Sequence, residues 1–391
     1  MPQFQRFDPA DCQFPRPGAP LLPVLRWADL TLGRRGTVAQ DVLDGPGARH
    51  FARGRYALRA AYRLAGVGPS GALLAPGYHC RTMLDPALAL GGAVLFYAQH
   101  ADLGPDMDSI RQALASRPGA VKALIVPHYF GIEQAAGVME ELAALCRLHG
   151  VMLVEDCSHA WQVALKRLPV CQAGSGHLLV ASPYKFFACE DGGVLWGNPA
   201  QLSGIATARP GLLSELKALK AGAARSRQGS AAPAPDALPL PEAGRRGQDW
   251  SEHSEQPSGM YESAQQDLRC LALSRWVMGR TRLDPVVQQR QRYYHQWLRA
   301  VAGLPGGRAL LPELAPDSAP YMFPLLITQP ESQFYVLKQA GVPIWRWDEM
   351  AVSECAVAGA YRLRLLHLPC HQSLSAGQMQ WMTGMVARVL A

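Results

Sequence analysis

The chain has 391 residues, long enough for two domains or for one large domain that carries a smaller one. Its composition, 49% hydrophobic and 18% charged, is typical of a soluble globular protein, and the net charge of +7 without aromatic residues interleaved in a basic stripe argues against a nucleic-acid partner. Nine scattered cysteines without a CxxC pair argue for a reducing compartment, and against a disulfide framework or a metal site.

Signals for secretion and for membrane insertion are not found in the sequence. No amino-terminal stretch joins a charged start to an apolar core, and no run reaches the ~18 apolar residues that a membrane span needs. We therefore expect a cytoplasmic protein without a membrane partner.

Periodic segments begin at residues 52–66, ARGRYALRAAYRLAG, whose apolar positions form one helical stripe that ends at Gly66. Short apolar runs then alternate with helical segments. The runs are ALLAP, AVLFY, VKALIVPHYF, VMLVEDC, HLLVASP and GGVLWG, and the helical segments are MDSIRQALAS and residues 133–149. This alternation predicts βαβ units and a mostly parallel sheet over about residues 50–200, which is an α/β fold.

Residues 221–260 differ from the rest in composition. They are rich in Ala, Pro, Gly, Ser and Arg and show no period, which predicts a mobile insertion. A long helix is predicted from Tyr261 to Ala302, broken near Leu283. A smaller α+β region follows, with YMFPLLIT, a helix over 331–340, VPIWRW and a final helix. We therefore divide the chain into an N-terminal segment (1–50), a large α/β domain (51–270) and a C-terminal part with the long helix and a smaller α+β domain (271–391).

Two polar residues stand at the carboxyl ends of predicted strands. Asp156 ends the run VMLVED, and Lys185 follows HLLVASP shortly before the flexible turn at Gly192 and Gly193. Ligands of open α/β sheets bind at this edge, and polar groups are costly to bury unless something there needs them. Pyridoxal 5′-phosphate requires this pair, because a lysine forms a Schiff base with its aldehyde and an acid holds the proton on its ring nitrogen.

The phosphate of such a cofactor needs amide donors at the start of a helix. Gly54, Arg55 and Tyr56 open the first predicted helix, and glycine permits close approach of the backbone. Ser182, three residues before Lys185, offers a hydroxyl. His128 is interpreted either as a buried, hydrogen-bonded residue or as one that lines the site.

The motifs GRYALRAAYRLAG, APGYHC, VPHYFG, VEDCSHA, SPYK and DGGVL occur in an order that resembles the DegT/DnrJ/EryC1/StrS family. The resemblance extends over most of the chain from about residue 50 and is strongest over 121–197. It implies a fold-type-I architecture, pyridoxal 5′-phosphate as cofactor and a homodimer with shared active sites. It also implies transfer of an amino group from an amino acid, such as Glu or Gln, to a keto acceptor, such as a nucleotide-linked keto sugar or another biosynthetic intermediate.

The resemblance also implies roles for individual residues. Lys185 becomes the lysine of the internal aldimine and the proton shuttle, Asp156 the partner of the ring nitrogen, and His159 the partner of the phenolic oxygen. Gly54, Arg55 and Ser182 fall at positions that contact the phosphate. Tyr78 and His79 lie in the segment that supplies the ring over the cofactor face, and the motif does not choose between them. We expect burial and the positively charged ring of the bound cofactor to lower the pKa of Lys185.

The sequence departs from the family in two segments. GMYES, at residues 259–263, replaces an asparagine and an arginine that reach the partner subunit's phosphate, and VPIWRWDEM replaces a His-Tyr-Pro pattern, whereas LLHLPCHQSLS matches the family's closing segment. Trp345 and Trp347 either pack on the core as part of a strand or form a substrate wall. Two alternatives therefore stay open: a pyridoxal-phosphate-dependent lyase or bond-forming enzyme of the same fold, and a non-catalytic binding or regulatory protein.

Overall fold

A computed structural model describes residues 2–8, 14–25, 38, 40–174, 176–228 and 248–391. The strands are β1 (Gln3–Asp8), β2 (Ala48–Phe51), β3 (Ala72–Pro76), β4 (Val94–Tyr97), β5 (Val121–Pro127), β6 (Met152–Asp156), β7 (His177–Ala181), β8 (Gly193–Trp196), β9 (Gln248–His253), β10 (Gly307–Ala309), β11 (Met322–Ile327), β12 (Glu349–Ala351) and β13 (Leu365–Pro369). The helices are α1 (Gln40–Asp44), α2 (Gly54–Ala65), α3 (Arg81–Ala89), α4 (Met107–Ser116), α5 (Ala136–His149), α6 (Trp161–Ala173), α7 (Pro199–Leu202), α8 (Leu212–Gln228), α9 (Ala272–Arg280), α10 (Leu283–Val301), α11 (Gln333–Gln339), α12 (Ala356–Tyr361) and α13 (Ala376–Leu390).

A seven-stranded sheet in the order β2-β8-β7-β6-β5-β3-β4 holds the predicted strands. The five strands from β4 to β7 are parallel, while β8 and β2 run antiparallel to their neighbours. β3 and β7 are buried at every position, as expected for strands covered by helices on both faces. The predicted α/β class with a mostly parallel sheet is confirmed.

The C-terminal part contains an antiparallel sheet in the order β10-β11-β13. Its apolar residues share one core with α10, α11 and α13, in which Trp297, Phe323 and Trp381 are fully buried. This core accounts for the predicted helix near 331–340 and for the final helix, both of which are present as α11 and α13.

A third sheet, in the order β12-β1-β9, was not predicted. Strand β1 pairs antiparallel with β12, Phe4 lying opposite Ala351, and antiparallel with β9, Phe4 lying opposite Glu252. These pairings join segments that are hundreds of residues apart. The pattern of any one segment therefore does not reveal them.

Segment 221–260, predicted as a mobile insertion or loop, contains regular structure in part of its described residues. Its mobility stays a prediction. Helix α8 continues to Gln228, in a segment rich in Ala, Leu, Lys and Arg that favours helix, and β9 pairs with β1. Residues 229–247 lie outside the described residues.

The predicted long helix from Tyr261 is wrong in its first part. Helix α9 begins only at Ala272, because the Asp191 carboxylate accepts hydrogen bonds from the Leu271 amide and the Ser274 hydroxyl and so caps its start. Helix α10 then begins at Leu283, where the break was predicted. No helix in the described ranges is long and apolar enough to cross a membrane. The division into domains at residues 50 and 270 stays a prediction.

Candidate active site

The carboxyl ends of β6 and β7 bring Asp156 and Lys185 to one cavity. β6 ends at Asp156, and β7 continues through Ser182 into a short 3-10 helix, Pro183–Lys185, closed by a hydrogen bond from the Lys185 amide to the Ser182 carbonyl (3.0 Å). Six residues predicted for the site line this inner cavity: Gly54, Arg55, Asp156, His159, Ser182 and Lys185.

Glu155 and Asp156 are neighbours on β6, and successive side chains of a strand point to opposite faces. Glu155 is fully buried and accepts hydrogen bonds from His128 Nε2 (2.8 Å) and from Arg167 Nη2 (2.7 Å). Burial raises the pKa of Glu155, but hydrogen bonds from His128, His177 and Arg167 outweigh it and hold the pKa below its ordinary value. Glu155 therefore belongs to a structural ion pair, and Asp156 alone of the two lines the cavity.

His128 hydrogen-bonds to the carboxylate of this ion pair and also lines the inner cavity, so both interpretations of it hold in part. Its Nδ1 accepts from the Gln134 amide (3.1 Å), so Nε2 carries the proton that it donates to Glu155. The ligand atoms of His128, Glu155 and Cys157 lie within 4.8 Å of one another, but the carboxylate is already occupied by Arg167.

The imidazole of His159 is held as a neutral donor. Burial, followed by the charges of Lys185 and His367, lowers its pKa well below the ordinary value. Its Nδ1 accepts a hydrogen bond from the Phe130 amide (3.3 Å), so the proton resides on Nε2. Phe130 has φ +57, a left-handed conformation that is costly for a residue with a Cβ atom and is often kept at functional sites. His159 thus offers an N–H donor, as the predicted bond to a phenolic oxygen requires.

The start of α2 forms a narrow cup with two serines. A Cβ atom at Gly54 would lie 2.1 Å from Ser182 Oγ, and the Ser182 hydroxyl donates to Ser158 Oγ (2.9 Å). A Cβ atom at Gly193 would lie 2.2 Å from the Arg53 carbonyl, so this glycine lets β8 approach the same turn. Only glycine fits at these two positions without a shift of the neighbouring atoms.

These residues fit the chemistry of pyridoxal 5′-phosphate. The amides of the first turn of α2 and the hydroxyls of Ser158 and Ser182 suit a phosphate. Asp156 Oδ1 accepts from the Ser158 amide (2.8 Å), and Oδ2 has no hydrogen-bond partner within the described part of the chain. Lys185 Nζ likewise has no hydrogen bond or ion pair among the described residues, and it lies 5.4 Å from the centre of the Tyr321 ring.

Opposing effects act on the pKa of Lys185. Burial lowers it, whereas Tyr184, Tyr321, Cys80 and Asp156 raise it, and the net direction is upward. Phenols and thiols are neutral near pH 7, so the effect of Tyr184, Tyr321 and Cys80 on Lys185 belongs to higher pH. With the chain's own groups around it, Lys185 is a cation near pH 7. The expected lowering of its pKa includes the positive ring of a bound cofactor and stays a prediction.

Tyr56, Tyr78 and His79 were predicted as cofactor residues, but the structure places their side chains outside the inner cavity. The Tyr56 amide is bonded to the Arg53 carbonyl (3.1 Å), and its hydroxyl accepts from the Glu262 amide (3.3 Å). Both the amide and the hydroxyl of Tyr56 thus make hydrogen bonds within the protein.

The side chains of Tyr78 and His79 make polar contacts with residues of the C-terminal part. The Tyr78 hydroxyl lies 3.1 Å from His367 Nε2. His79 Nε2 accepts from the Ala351 amide (3.2 Å), and its ring stacks on Phe96. The role of either ring over the cofactor face stays a prediction.

Aromatic residues from the C-terminal part stand near the site instead. Trp347 lines both the inner cavity and an adjoining outer cavity of about 470 Å³, and its ring lies 5.8 Å from that of His159. Tyr321 stacks on His159 at 4.3 Å. Trp345, half exposed, lines the outer cavity, which favours the substrate-wall interpretation for it. Trp347 is buried in a core cluster and also lines both cavities, so both interpretations apply to it.

Several lining residues were missed by the sequence analysis. Ser158 follows Asp156 by two residues, so its place after a strand was a usable signal. Tyr321 carried no such signal, because it comes from the C-terminal part and approaches the site only through tertiary packing. Trp347 was named in the sequence analysis, either as a core residue or as part of a substrate wall, and it lines the inner cavity.

Comparison with known proteins agrees with this geometry. Residues 48–209 match the sequence model of the DegT/DnrJ/EryC1/StrS aminotransferase family, which confirms the resemblance seen in the motifs. The L-glutamine:scyllo-inosose aminotransferase of Streptomyces griseus is 25% identical over 151 residues, covering 38% of this chain and 34% of that protein. The aligned part thus spans about a third of that relative's length.

Solved structures show the same fold. Helicobacter pylori PseC, an aminotransferase involved in the biosynthesis of pseudoaminic acid, has a TM-score of 0.61 at 14% identity, over 97% of this chain and 99% of that one. The sugar aminotransferase CalS13 from Micromonospora echinospora has a TM-score of 0.58 at 18% identity, over 94% and 99%. The fold-type-I architecture is therefore shared over nearly the whole chain.

Proposed function

We propose that this relative of the DegT/DnrJ/EryC1/StrS family is a pyridoxal-phosphate-dependent aminotransferase. The observation that carries the proposal is the convergence of Lys185, Asp156, His159, Ser182 and Gly54 on one cavity at the carboxyl ends of β6 and β7. The family match over residues 48–209 supports it.

Each residue has a separate task in the proposed site. The start of α2, with Ser158 and Ser182, binds the phosphate, and Asp156 holds the proton on the ring nitrogen. His159 donates its Nε2 proton to the phenolic oxygen. When bound, pyridoxal 5′-phosphate supplies an electrophilic carbon and an electron sink. Lys185 Nζ would be the nitrogen that holds this carbon, and as a free amine it would carry a proton at the same atom.

The outer cavity is the proposed place for the substrates. Its volume of about 470 Å³ lies within the range of small-molecule sites, and it shares Lys185, His159 and Trp347 with the inner cavity. We propose glutamate or glutamine as the amino donor and a keto sugar, nucleotide-linked or free, as the acceptor. The named relative is an L-glutamine:scyllo-inosose aminotransferase, and CalS13 is a sugar aminotransferase, which supports this class.

We also propose that the protein works in the cytoplasm as a homodimer with shared active sites, and that the chain divides near residues 50 and 270. The resemblance to the family supports these proposals. Sedimentation of the purified protein with bound cofactor tests the dimer.

The test of the function is a spectrum followed by covalent trapping. Purified protein with added pyridoxal 5′-phosphate should absorb near the visible edge, and glutamate or glutamine should move the band into the near ultraviolet. Borohydride reduction and peptide mass spectrometry should then place the label on Lys185. Lys185→Ala should lose both band and label, while Lys217→Ala, which changes an exposed lysine on α8, should keep them.

The alternatives predict different results. A trapped label on Lys185 without a shift by any amino acid would favour a lyase or bond-forming enzyme. If no cofactor binds at all, the proposal is wrong and a binding or regulatory role takes its place.

A further inference from the structure

Arg290, on α10, lies completely buried beneath the turn that carries Lys185. Its Nη2 donates to the main-chain oxygens of Lys185 (3.1 Å) and Phe186 (3.0 Å). Its Nη1 donates to the main-chain oxygen of Pro320 (2.9 Å) and makes a longer contact with that of Tyr321 (3.4 Å). One guanidinium therefore joins the lysine turn to the segment that enters β11.

Gln372 completes this arrangement, which we call the carbonyl clamp (Arg290 and Gln372). Its Oε1 accepts from Arg290 Nε (3.0 Å), and its Nε2 donates to the Phe186 oxygen (3.0 Å). Arg290 and Gln372 thus hydrogen-bond to each other, and both donate hydrogen bonds to main-chain carbonyl oxygens.

The clamp holds a charge in a place where a charge is costly. Burial lowers the pKa of Arg290 to about 10, so the group remains a cation near pH 7. No carboxylate pairs with it among the described residues, and its partners are carbonyl dipoles and the Phe186 ring, 4.8 Å away. An apolar side chain would avoid this cost, which argues that the site needs the fork of five N–H donors.

The segments that the clamp joins both contribute groups to the site. Lys185 supplies Nζ, and Tyr321 supplies the ring that lies 5.4 Å from Nζ and stacks on His159. Because the clamp binds main-chain oxygens, it fixes the backbone positions of Lys185 and Tyr321 and leaves their side chains free to rotate. Misplacement of a reacting group by about 1 Å can cost about a hundredfold in rate.

We propose that Arg290, assisted by Gln372, is a positioning residue that fixes the main chain of Lys185 relative to Tyr321. This inference rests on the proposed function for its kinetic consequence, but the anchoring itself does not. Lysine at position 290 keeps the charge, yet its three donors on one nitrogen cannot reach two carbonyl pairs.

The experiment compares Arg290→Lys with Arg292→Lys, a change of an exposed arginine on the same helix. In the protein loaded with cofactor, Arg290→Lys should lower kcat about tenfold or more per bound cofactor and shift the midpoint of the pH titration of the imine band, with a smaller change in KM. Arg292→Lys should behave as the wild type. A lower melting temperature with unchanged kcat and midpoint would overturn the proposal, since that is the result of a purely structural role.

A second variant and a second readout keep the inference testable in all cases. Gln372→Leu removes one member of the clamp and should lower kcat and shift the titration midpoint in the same direction as Arg290→Lys. It serves as the test variant if Arg290→Lys fails to fold. Hydrogen exchange of peptides spanning residues 183–192 needs no cofactor and should be faster in both variants. Equal exchange rates would overturn the anchor, whereas a wild type that binds no cofactor would overturn the proposed function alone.

Discussion

Lys185 and Tyr321 are brought together from different sheets, with Nζ 5.4 Å from the centre of the Tyr321 ring. The same ring stacks on His159 at 4.3 Å. Tyr321 comes from the segment before β11 and Lys185 from the turn after β7, so the contact joins the C-terminal part of the chain to the large sheet.

The Tyr321 ring should matter more than its hydroxyl. Burial raises the pKa of Tyr321 to about 12, against the effect of Lys185, so the phenol stays neutral near pH 8. Tyr321→Ala removes a cation–π contact and a stacking contact, each about 1 kcal/mol, and should lower turnover about tenfold. Tyr321→Phe keeps the ring and should stay near wild type. Initial rates of both variants decide this, and equal losses would assign the effect to the hydroxyl.

Asp156→Asn should leave the fold intact and weaken catalysis. The side chain keeps its shape and the oxygen that accepts from the Ser158 amide, but it no longer offers a charge to the ring nitrogen. We expect turnover to fall by about a hundredfold, the typical effect of losing one preorganised electrostatic partner. Asp108→Asn, on the exposed face of α4, is the matched control. Wild-type turnover in Asp156→Asn would contradict the role of this carboxylate.

Gly54→Ala should weaken cofactor binding. The new methyl group would meet Ser182 Oγ at 2.1 Å, and moving that hydroxyl would cost its bond to Ser158. Absorbance titration should show an increase in Kd of about tenfold, which corresponds to about 1.4 kcal/mol. Gly137→Ala, in α5 with nothing within 4 Å, should instead raise stability by up to about 1 kcal/mol through helix propensity. An unchanged Kd in Gly54→Ala would speak against the phosphate cup.

Glu155→Gln should destabilise the protein strongly. The change removes the negative charge of the carboxylate that pairs with Arg167 and accepts a hydrogen bond from His128. Breaking a buried ion pair costs about 3–5 kcal/mol of folding free energy. Glu141→Gln breaks an exposed pair with Arg111 and should cost less than about 1 kcal/mol. Urea unfolding at pH 7 measures both free energies. Similar losses in the two variants would show that burial of the Glu155 network contributes little.

Stability should fall as the pH drops below about 6.5. Burial lowers the pKa of His50 to about 4, of His79 to about 4 and of His367 to about 3. The unfolded chain therefore gains protons that the folded chain does not, and each histidine costs up to about 1.4 kcal/mol per pH unit until the pH reaches its folded pKa. Urea unfolding between pH 7.5 and 5 gives the slope of the unfolding free energy against pH, which counts the protons taken up on unfolding. His79→Gln should lower this count by one. An unchanged slope would mean that His79 is protonated in the folded state.

The sequence carried enough information for the large sheet and for the pair at its centre. The apolar runs of β3 to β8 are local patterns, and parallel strands necessarily bring their carboxyl ends to one edge. Asp156 and Lys185 could therefore be placed together from their positions after two such runs. A local signal for Arg290 was also present, since it falls on the stripe of α10 that buries Val286, Tyr293 and Trp297, although periodicity says nothing of what a buried arginine binds.

Only the tertiary structure decided the orientation of side chains in the loops that follow the strands. Tyr78 and His79 follow β3 directly, but β12 supplies the Ala351 amide that draws His79 inward, and His367 of β13 lies within hydrogen-bonding distance of Tyr78. Besides burial and its neighbour Tyr184, the pKa of Lys185 depends on Tyr321 and Cys80, which approach from distant segments. Strand and helix patterns are properties of neighbouring residues, whereas these contacts join residues that are far apart in the chain. Their energies exist only once the chain is packed.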